Sequence, residues 1–582
     1  MKTLFMIIFF SFLCFAGCST TKSVTNAGPE GPRPNSKKWV TPEHVPVIDL
    51  TQDNVPGFWT VTPTIIDTHS FADKHQLHGP VAGPHPRPAK FLPPHHKPDF
   101  DTTGPPNNLR SGFGNTSTVI HDEGGFDAIA QTPWTPPDPS LAVGPNHVVV
   151  TVNMAIAFYD KDGNEQFSSY LDSTGSPGFF EDIGCGDFTF DPKCFYDPNS
   201  QRFVVLALEQ YDSDESWITI AVSDDDDPNG IWYKYRTWSV ITNDGNTYWI
   251  DYPGFGFDDG FYYVTGNLFG LNNGGWGGVL YRVFDKTPML NGDSVVIADV
   301  RRQGHASMQG AQQYGESPAA FFVSTANDTQ IRIAYINTPA NPTVQSVTLA
   351  VPSYSGPGNV SNPGGSIWVL DGRMMNAQYR DGRLWATHGI AGNGVTAMGR
   401  WYEIDLSNWP DTNPVLLQSG DISIPVGLSS FFPAIAPNKR GEMAMVVGTG
   451  NSATSPELRI IGRKANDHAG VMGSPTLVKS SETGADGRWG DYFDMTVDPN
   501  NDIRFWYVGE YAMDYGWQTY VGSAVITCVE DINADGNVNI NDLLSVLAGW
   551  GTSANGAEIA EPYDVIDVAD ILAVIPALGN CP

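Results

Sequence analysis

Basic residues are scarce in this 582-residue chain. Lysine and arginine total 32 against 64 aspartates and glutamates, which gives a formal net charge of −32 at pH 7. A surface of that sign repels polyanions, so nucleic acid and anionic membranes are not expected partners. After the first 15 residues, no apolar run reaches the length that spans a bilayer. A neutral glycan, or an acidic one bridged by calcium, is compatible with this charge.

Cysteine is also rare, with six residues, and one of them marks the beginning of the chain. Lys2 and an apolar run over residues 4–15 precede Cys18. This arrangement resembles a bacterial lipoprotein signal, which implies that residues 1–17 are removed and that Cys18 carries the lipid. An ordinary cleaved signal peptide is the alternative. Because Ser19 stands where an aspartate would indicate inner-membrane retention, the expected location is the outer membrane or the cell surface.

Four cysteines would remain after processing, and export to an oxidising compartment favours disulfides. Cys185 and Cys194 are neighbours in one part of the chain, whereas Cys528 and Cys581 bracket its last segment. The sequence therefore predicts one disulfide in each part. A thiolate metal site at Cys185 and Cys194 is disfavoured, because the two-residue spacing and a second ligand pair are missing.

Residues 19–117 contain 16 prolines and 7 of the 12 histidines, with few places for a continuous apolar face. The composition predicts a disordered, extended stalk over residues 18–117, at roughly 3 Å per residue where it is polyproline-like. Weak transition-metal binding by the histidines between His75 and His96 is the alternative, but nothing in the sequence orders those ligands.

Residues 118–527 repeat a strand–turn–strand pattern and contain no long helical stretch. The seven copies begin at Asp138, Phe190, Asp251, Met308, Met375, Phe431 and Asp491. Their separations, between 52 and 67 residues, suit one four-stranded antiparallel blade with its loops. The pattern predicts an all-β, seven-bladed β-propeller of the sialidase-like or WD40-like type, with six or eight blades as the neighbouring possibilities. A strand around 118–121 is expected to complete the last blade beside residues 524–526.

Several phrases of this segment resemble a widespread group of secreted bacterial proteins. They are PPDPSLAVGPNHVV (136–149), YDPNSQRFVV (196–205), RWYEIDL (400–406), and RWGDY with DMTVDP and FWYVGEY (488–511). The resemblance implies the propeller fold and leaves the activity open, because propellers host lyases, hydrolases, binding proteins and scaffolds.

The polar residues that open the repeats are expected to line the mouth of the propeller channel. Arg488 and Asp491 belong to the phrase RWGDY, which no other repeat shares. With Glu510, Arg400 and His305, they form the candidate catalytic set. The alternative for Arg488 and Asp491 is a buried ion pair that clasps the last blade to the first.

Asp138 and Asp251 also open repeats, but an aspartate before proline or Tyr-Pro recurs in three of them. A recurring residue of this kind is typical of a turn that accepts backbone N–H groups. These two aspartates, like Asp371 and Arg380, are therefore weaker candidates for catalysis.

Sialidases offer an enzymatic template, with an arginine cluster, a Tyr–Glu pair and an aspartic acid. The Arg-Ile-Pro phrase of that family is missing here, so classical sialidase activity is not expected. The stretch 223–232 loosely resembles the Asp-box hairpin of the same family. It is interpreted as an exposed turn capped by carboxylates, or as a second calcium site.

Residues 531–542 have the spacing of a calcium loop. Asp531, Asn533, Asp535, Asn539 and Asp542 place oxygen side chains at positions 1, 3, 5, 9 and 12, and Asn537 offers its carbonyl at position 7. Gly536 permits the sharp turn at position 6. The spacing predicts one bound Ca²⁺.

With aspartate at position 12 and a helical run after it, segment 528–582 resembles a type I dockerin. The resemblance implies a small α-helical, EF-hand-like calcium domain and a cohesin-like partner. A second loop before Asp567 and Asp570 lacks two ligands and the glycine, so we expect one site.

Two functions compete for the whole chain. The first is an exported enzyme acting on an extracellular polysaccharide or glycoconjugate, either a glycoside hydrolase or a polysaccharide lyase. The second is a glycan-binding, adhesion or scaffold propeller without catalysis. A cluster of arginine, tyrosine, histidine and carboxylate at one channel mouth would favour the first function.

Overall fold

A computed structural model describes residues 47–80, 85–86, 115–174, 177–211, 214–271, 275–424, 427–527, 530–533, 537–552, 559 and 565–579. The N-terminal strands are β1 (Ile48–Asp49), β2 (Gly57–Val61), β3 (Thr64–Asp67), β4 (His85–Pro86), β5 (Asn115–Val119), β6 (His121–Ala130) and β7 (Trp134–Thr135). The next are β8 (Ser140–Val143), β9 (His147–Val152), β10 (Ala155–Asp160), β11 (Glu165–Tyr170), β12 (Thr189–Asp197), β13 (Arg202–Tyr211), β14 (Glu215–Ser223), β15 (Ile231–Trp238), β16 (Ile241–Asn243), β17 (Asn246–Phe257), β18 (Phe261–Gly270), β19 (Trp276–Asp285) and β20 (Val295–Arg302).

The remaining strands are β21 (Gln309–Gly310), β22 (Gln312–Tyr314), β23 (Ala320–Asn327), β24 (Gln330–Ile336), β25 (Gln345–Ala350), β26 (Val360–Asn362), β27 (Gly365–Ile367), β28 (Met374–Arg380), β29 (Arg383–Ile390), β30 (Met398–Asp405), β31 (Val415–Asp421), β32 (Ser429–Pro437), β33 (Met443–Asn451), β34 (Thr454–Arg463), β35 (Met472–Ser474), β36 (Thr476–Ser480), β37 (Asp494–Val497), β38 (Phe505–Met513) and β39 (Gly516–Val525). The α-helices are α1 (Lys286–Met289), α2 (Ile540–Ala548) and α3 (Val568–Ala577). No helix in the described part of the chain is long and apolar enough to cross a membrane.

The strands form a β-propeller arrangement of sheets, built mostly from antiparallel strands that follow one another in the chain. Five sheets of four or five strands are separate: β8–β11; β12–β15 with β3; β21 with β23–β25; β32–β34 with β36; and β37–β39 with β6. The runs β17–β20 and β28–β31 belong instead to one twelve-stranded sheet. The prediction of seven separate blades is therefore wrong for this pair. The reason is β22, a short inner strand that pairs in parallel with β17 at Phe257 and with β28 over three residues.

The ring closes between the two ends of the propeller segment. Strand β6 is the fourth strand of the last sheet, with Val525 opposite His121 and Gln518 opposite Ala130. The closing strand thus lies beside residues 524–526, as the sequence indicated, but it runs over His121–Ala130. Apolar residues of β8–β10 also pack with Trp506 and Trp517 of the last sheet, so a shared core joins the first and last sheets.

Large aromatic side chains fill the spaces between neighbouring sheets. Trp232, Trp401 and Trp517 are fully buried. Trp232 donates its indole N–H to the carbonyl of Pro228 at 2.8 Å, and Trp517 donates to the carbonyl of Trp134 at 2.9 Å. A buried tryptophan whose polar atom is satisfied contributes most to such a core, and its truncation to alanine typically costs about 3–5 kcal/mol.

Part of the predicted stalk is folded against the propeller. Strand β2 extends the twelve-stranded sheet beside β20, and β3 adds a fifth strand beside β15. His75 forms a further bridge to Ser168. Exposed sheet edges present unpaired N–H and carbonyl groups, and this segment satisfies them. The prediction of a disordered stalk is therefore wrong for residues 47–80, because backbone pairing orders a segment that has no continuous apolar face.

The two cysteines of the propeller are separate free thiols, so the predicted disulfide between Cys185 and Cys194 is not formed. The Cys185 sulfur lies 3.7 Å from the Tyr211 hydroxyl, whereas the Cys194 sulfur lies 3.7 Å from the carbonyl of Val149 in the neighbouring sheet. Each buried thiol therefore has its own contacts within the core. Cys528, Cys581 and Cys18 lie outside the described residues.

The C-terminal segment contains two short helices with the same start. Helix α2 begins with Asn539 as N-cap and Asp542 in a capping box, and α3 repeats this with Asp567 and Asp570. Their small core contains Val546 and Val574 together with residues of the last propeller sheet. The segment is therefore packed on the propeller.

Candidate functional site

The inner strands of the propeller begin with strained backbone. Asp138, Asp191, Tyr252 and Phe432 have φ angles of 49°, 47°, 56° and 50°, and each precedes a proline. A register shift interrupts the pairing of β12, β17 and β32 at the last three of these positions. Such bulges re-aim side chains, and left-handed non-glycine residues concentrate at functional sites.

The strained residues bridge neighbouring sheets. The Asp138 carboxylate accepts a 2.7 Å hydrogen bond from the Asn153 side chain, whose oxygen accepts from the backbone N–H of Asp191 at 2.8 Å. The Tyr252 hydroxyl donates to the carbonyl of Met374 at 2.8 Å, which links β17 to β28. The bulges therefore bring polar groups of several inner strands together.

Glu510 is the most perturbed carboxyl group here. It lies on β38 and is 1% exposed. None of the described residues donates a hydrogen bond to either of its carboxyl oxygens. Burial raises its pKa well above the ordinary value, and the carboxylates of Asp138 and Asp491 raise it further. These surroundings favour the protonated form of Glu510.

Arg488 and Asp491 form an ion pair beside Glu510. The Arg488 guanidinium lies 5.2 Å from the centre of the Trp368 ring. Its Nε and Nη1 atoms, and Oδ1 of Asp491, are buried without a hydrogen-bond partner among the described residues. A half-satisfied buried pair is unusual in a purely structural role, since each unmet polar atom is costly.

Two further cations face this group. Lys193 lies 3.4 Å from the centre of the Tyr492 ring, and burial lowers its pKa against the opposite pull of Asp494, Asp191 and Asp138. Arg373 holds Asp371 through two bonds of 2.7 and 2.8 Å and stacks 4.5 Å from the Tyr252 ring. We name the assembly the inner-strand cluster; its members are Asp138, Asp191, Lys193, Tyr252, Asp371, Arg373, Arg488, Asp491 and Glu510.

Arg400 does not belong to the inner-strand cluster. It lies on β30 and holds Asp421 of β31 through bonds of 2.5 and 2.8 Å, with a third bond to the carbonyl of Pro352. Its donors thus join strands of one sheet and a neighbouring loop.

His305 also lies apart, after the outer strand β20. Its Nδ1 is 2.6 Å from the Tyr281 hydroxyl and its Nε2 is 3.3 Å from the Ser346 hydroxyl. Burial, with Arg332 and Arg302 nearby, lowers its pKa to about 2, so the imidazole is neutral. The structure therefore unites three of the five candidate catalytic residues.

Sequence reasoning missed Lys193, Tyr252 and Arg373, and it treated Asp138 as a turn residue. The sequence did contain a signal for this cluster. A proline follows the strained residue near the start of several repeats, and these prolines mark the positions of the bulges. Arg380 lies at the other end of β28, where it holds Asp502 through bonds of 2.6 and 2.8 Å.

The acidic loop after β14 behaves as a capped turn. Asp224, Asp225 and Asp227 accept backbone N–H groups of Ile231, Asp227 and Asn229 at 2.9–3.1 Å. Within the described residues, no group of three or more metal-binding side chains is arranged to hold an ion. The turn interpretation of stretch 223–232 accounts for these bonds.

The described part of the predicted calcium loop is closed by hydrogen bonds to Asp542. Asp531 and Asp542 are fully buried. Asp542 accepts the backbone N–H groups of Asn533 at 3.1 Å and Asn539 at 2.8 Å, which folds the loop back on itself. Two buried carboxylates in a closed loop fit a hard cation. Asp535 and Gly536 lie outside the described residues, so Ca²⁺ binding stays a prediction.

The second loop is closed differently. Asp570 accepts the backbone N–H of Ile559 at 2.6 Å and of Asp567 at 2.8 Å. Ile559 stands 28 residues after Asp531, at the equivalent first position, and packs into the small core. An apolar side chain therefore occupies the place of the first ligand.

No protein-family model and no curated protein matches this chain. Solved structures resembling it include a Trypanosoma rangeli sialidase, with 12% identity, a TM-score of 0.33 and coverage of 69% of this chain. A Fusarium graminearum α-L-arabinofuranosidase has 9% identity and a TM-score of 0.34, and its alignment covers 71% of this chain and 99% of the arabinofuranosidase. An exo-β-1,3-galactanase from Clostridium thermocellum has 11% identity and a TM-score of 0.28, and its alignment covers 60% of this chain and 79% of the galactanase. The alignment spans 61% of the sialidase chain. Similarity at this level carries no conclusion about activity.

Proposed function

We propose that the protein binds an extracellular polysaccharide at the inner-strand cluster and hydrolyses it. The observation that carries the proposal is a pair of neighbouring carboxyl groups in different surroundings, one buried without donors from the described residues and one paired with an arginine. Burial favours the protonated form of Glu510, whereas Arg488 neutralises the charge of Asp491. Glycoside hydrolysis requires one neutral acid to protonate the leaving oxygen and one carboxylate to act as base or nucleophile.

The other cluster members suit a sugar ligand. Lys193 and Arg488 carry donors next to the rings of Tyr492 and Trp368, and Arg373 lies against the ring of Tyr252. Donors beside aromatic surfaces are the groups that bind sugar hydroxyls and ring faces.

Release of reducing ends from a panel of plant and marine polysaccharides tests this proposal. Glu510→Gln should lower the rate at least about 100-fold, because general acid catalysis contributes 10²–10⁴-fold. Asp491→Asn should have a similar effect. Glu442→Gln, which alters another buried glutamate whose pKa burial raises, is the matched control. Unsaturated products would indicate a lyase instead.

Non-catalytic glycan binding is the second candidate, and one observation favours it. Gly490 lies directly against Glu510, and a side chain at position 490 would collide with the carboxyl group. If the 488–491 segment does not move, Glu510 cannot reach a substrate. Retained polysaccharide binding with no product from any substrate would support this candidate.

For the whole chain, we propose a cell-surface lipoprotein that is anchored through Cys18 and carries a calcium-dependent docking module for a cohesin-like partner. Both helices of that module expose apolar residues at the same spacing. They are Ile540, Leu544 and Leu547 on α2, and Val568, Leu572 and Ile575 on α3. Duplicated apolar stripes of this kind suit a protein partner. We also propose that the twelve-stranded sheet counts as two blades, which gives the seven of the sequence repeats.

A further inference from the structure

A small cavity lies at the opposite end of the inner strands from the inner-strand cluster. It has a volume of about 180 Å³ and sits between the sheets β28–β31 and β32–β36. The β28–β29 turn, with Arg380 and Arg383, forms one wall, and the β32–β33 turn, with Pro437 and Asn438, forms another. Trp385, Glu403, Gln418 and Arg463 also line it. We name this cavity the arginine groove.

Arg463 is the unusual residue of the arginine groove. It is 2% exposed, and its guanidinium carbon lies 5.2 Å from the centre of the Trp401 ring. Nη2 donates to the carbonyl of Asp467 at 3.0 Å, but Nε has no hydrogen-bond partner among the described residues. No carboxylate of the described chain lies within 4 Å of this guanidinium. A buried cation without a counter-ion is strongly unfavourable unless a ligand supplies the charge.

The exposed carboxylate of Asp381 also lines the groove, and the two other arginines there form ion pairs. Arg380 forms an ion pair with Asp502, which lies outside the cavity, and Arg383 forms an ion pair with Glu403. Glu403 also accepts the side chain of Gln418. Arg463 is therefore the arginine of the groove that forms no ion pair with a described residue. Burial lowers the pKa of Arg463 despite Glu403 and Asp467, which agrees with this lack of an ion pair.

The donors of the groove select the chemistry of a ligand. The side-chain amide of Asn438 is used by Glu442 and by the carbonyl of Ile503. The Gln418 oxygen accepts from the backbone of Gly470. Among the described residues, guanidinium N–H groups of Arg463, of the half-exposed Arg383 and of Arg380, whose Nε has no partner, remain available for a ligand. Guanidinium groups pair best with planar or tetrahedral oxyanions.

We propose that the arginine groove binds a small oxyanion, either a free sulfate or phosphate ion or the carboxylate of a single acidic sugar. The cavity is below the usual 300 Å³ of a site for a larger organic ligand. The oxyanion neutralises Arg463 and accepts from Arg383 at the open side. This site does not depend on the proposed hydrolysis, because it lies at the other end of the inner strands.

Calorimetric titration of the full chain at low chloride tests the proposal, with sodium sulfate, sodium phosphate, sodium glucuronate and uncharged glucose as separate probes. We expect saturable one-to-one binding of at least one oxyanion and none of glucose. Binding of sulfate or phosphate but not of glucuronate would identify the ligand as a free inorganic ion. Tighter binding of glucuronate than of either ion would identify it as an acidic sugar. Absence of saturable binding for all three anions would overturn the proposal.

Three variants assign the binding. Arg463→Met keeps an apolar stem in the buried position and should weaken the oxyanion at least about tenfold, since hydrogen bonds to charged groups are the strong ones. Arg383→Gln changes a half-exposed residue, should fold normally and should weaken binding several-fold. Arg459→Gln, on the same strand but outside the cavity, is the matched control. Unchanged affinity in both Arg463→Met and Arg383→Gln would exclude the groove. Asp491→Asn should leave oxyanion binding intact, which separates this site from the inner-strand cluster.

Discussion

At the residue scale, the side chain of Glu510 shows how burial changes the chemistry of one carboxyl group. An exposed glutamate is ionised at neutral pH, with a pKa near 4.3. Glu510 has two buried oxygens, two carboxylates nearby and no donor from the described residues. Each of these conditions disfavours its charged form, so the proton that an acid catalyst needs is held by the fold itself.

This proton has a measurable effect on stability. Between the unfolded and the folded pKa, the folded protein retains a proton that the unfolded chain has released. The free energy of unfolding therefore falls as pH rises through that range, by up to about 1.4 kcal/mol per pH unit. We expect wild type to lose more stability from pH 5 to pH 8 than Glu510→Gln in urea unfolding. Other groups with a raised pKa, such as Asp172 with a pKa of about 6, contribute equally to both proteins, so their effect cancels when the two pH profiles are compared. Parallel pH profiles would contradict the assignment.

The ion pair of Arg488 and Asp491 permits a second test at this scale. Lysine keeps the charge but cannot supply the forked donors of arginine. We expect Arg488→Lys to shift the melting temperature by only a few degrees and to abolish glycan binding or turnover. Arg504→Lys, at the pair with Glu123, is the matched control. Lost folding with full specific activity in the surviving fraction would instead show that Arg488 only clasps the last sheet.

At the scale of elements, the repeated unit of the C-terminal module is one loop and one helix. Asn539 and Asp567 cap the two helices in the same way, yet the loops before them differ at the first position. Asp531 offers a carboxylate there, whereas Ile559 is part of the apolar core. The same backbone design thus places a carboxylate at the first position in one copy and an apolar side chain there in the other.

We expect one Ca²⁺ per chain in calorimetric titration of the full protein. Asp531→Ala combined with Asp542→Ala should remove this binding, because the loop loses its two buried carboxylates. At 100 times the dissociation constant, Ca²⁺ should stabilise the module by about 2.7 kcal/mol. Asp567→Ala, in the second loop, should leave the stoichiometry at one. Binding that persists in the double variant would refute the loop assignment.

At the scale of the whole molecule, the N-terminal segment connects the propeller to its proposed anchor. Residues 57–67 add strands to two sheet edges, which fixes this part of the chain to the outside of the ring. A lipid at Cys18 would then hold the propeller near a membrane surface. The net charge of −32 opposes any direct contact with anionic lipid.

Detergent partitioning of intact cells tests the anchor. Cys18→Ser should move the protein from the detergent phase to the aqueous phase, since the acyl chains are the expected hydrophobic attachment. Cys14→Ser alters a cysteine within the predicted signal and should leave the partition unchanged. A Cys18→Ser protein that still enters the detergent phase would contradict lipidation at this position.

Much of this architecture was predictable from local patterns. The seven repeats predicted a propeller arrangement because strand, turn and strand recur within about 60 residues. The closing strand near residue 121 followed from the need to pair the last sheet. Asp531 and Asp542 were predicted as calcium ligands because the spacing of such a loop is contiguous in sequence, and that binding stays a prediction.

Tertiary structure alone decided which polar residues meet. In the sequence, Arg400 and His305 were candidates of the same kind as Arg488 and Glu510. In the fold, Arg400 pairs with Asp421, and His305 contacts Tyr281. Cys185 and Cys194 are nine residues apart and lie in one core, yet Cys185 contacts Tyr211 whereas Cys194 contacts the carbonyl of Val149 in the neighbouring sheet. Lys193 joined the inner-strand cluster because a bulge re-aims its strand.

The sequence by itself determined the class of fold, the acidic surface and the calcium-loop spacing, since each depends on residues close along the chain. Burial depends on neighbours hundreds of residues away, and burial sets the protonation of Glu510 and the unpaired charge of Arg463. For that reason, only the folded ring decided where chemistry is possible.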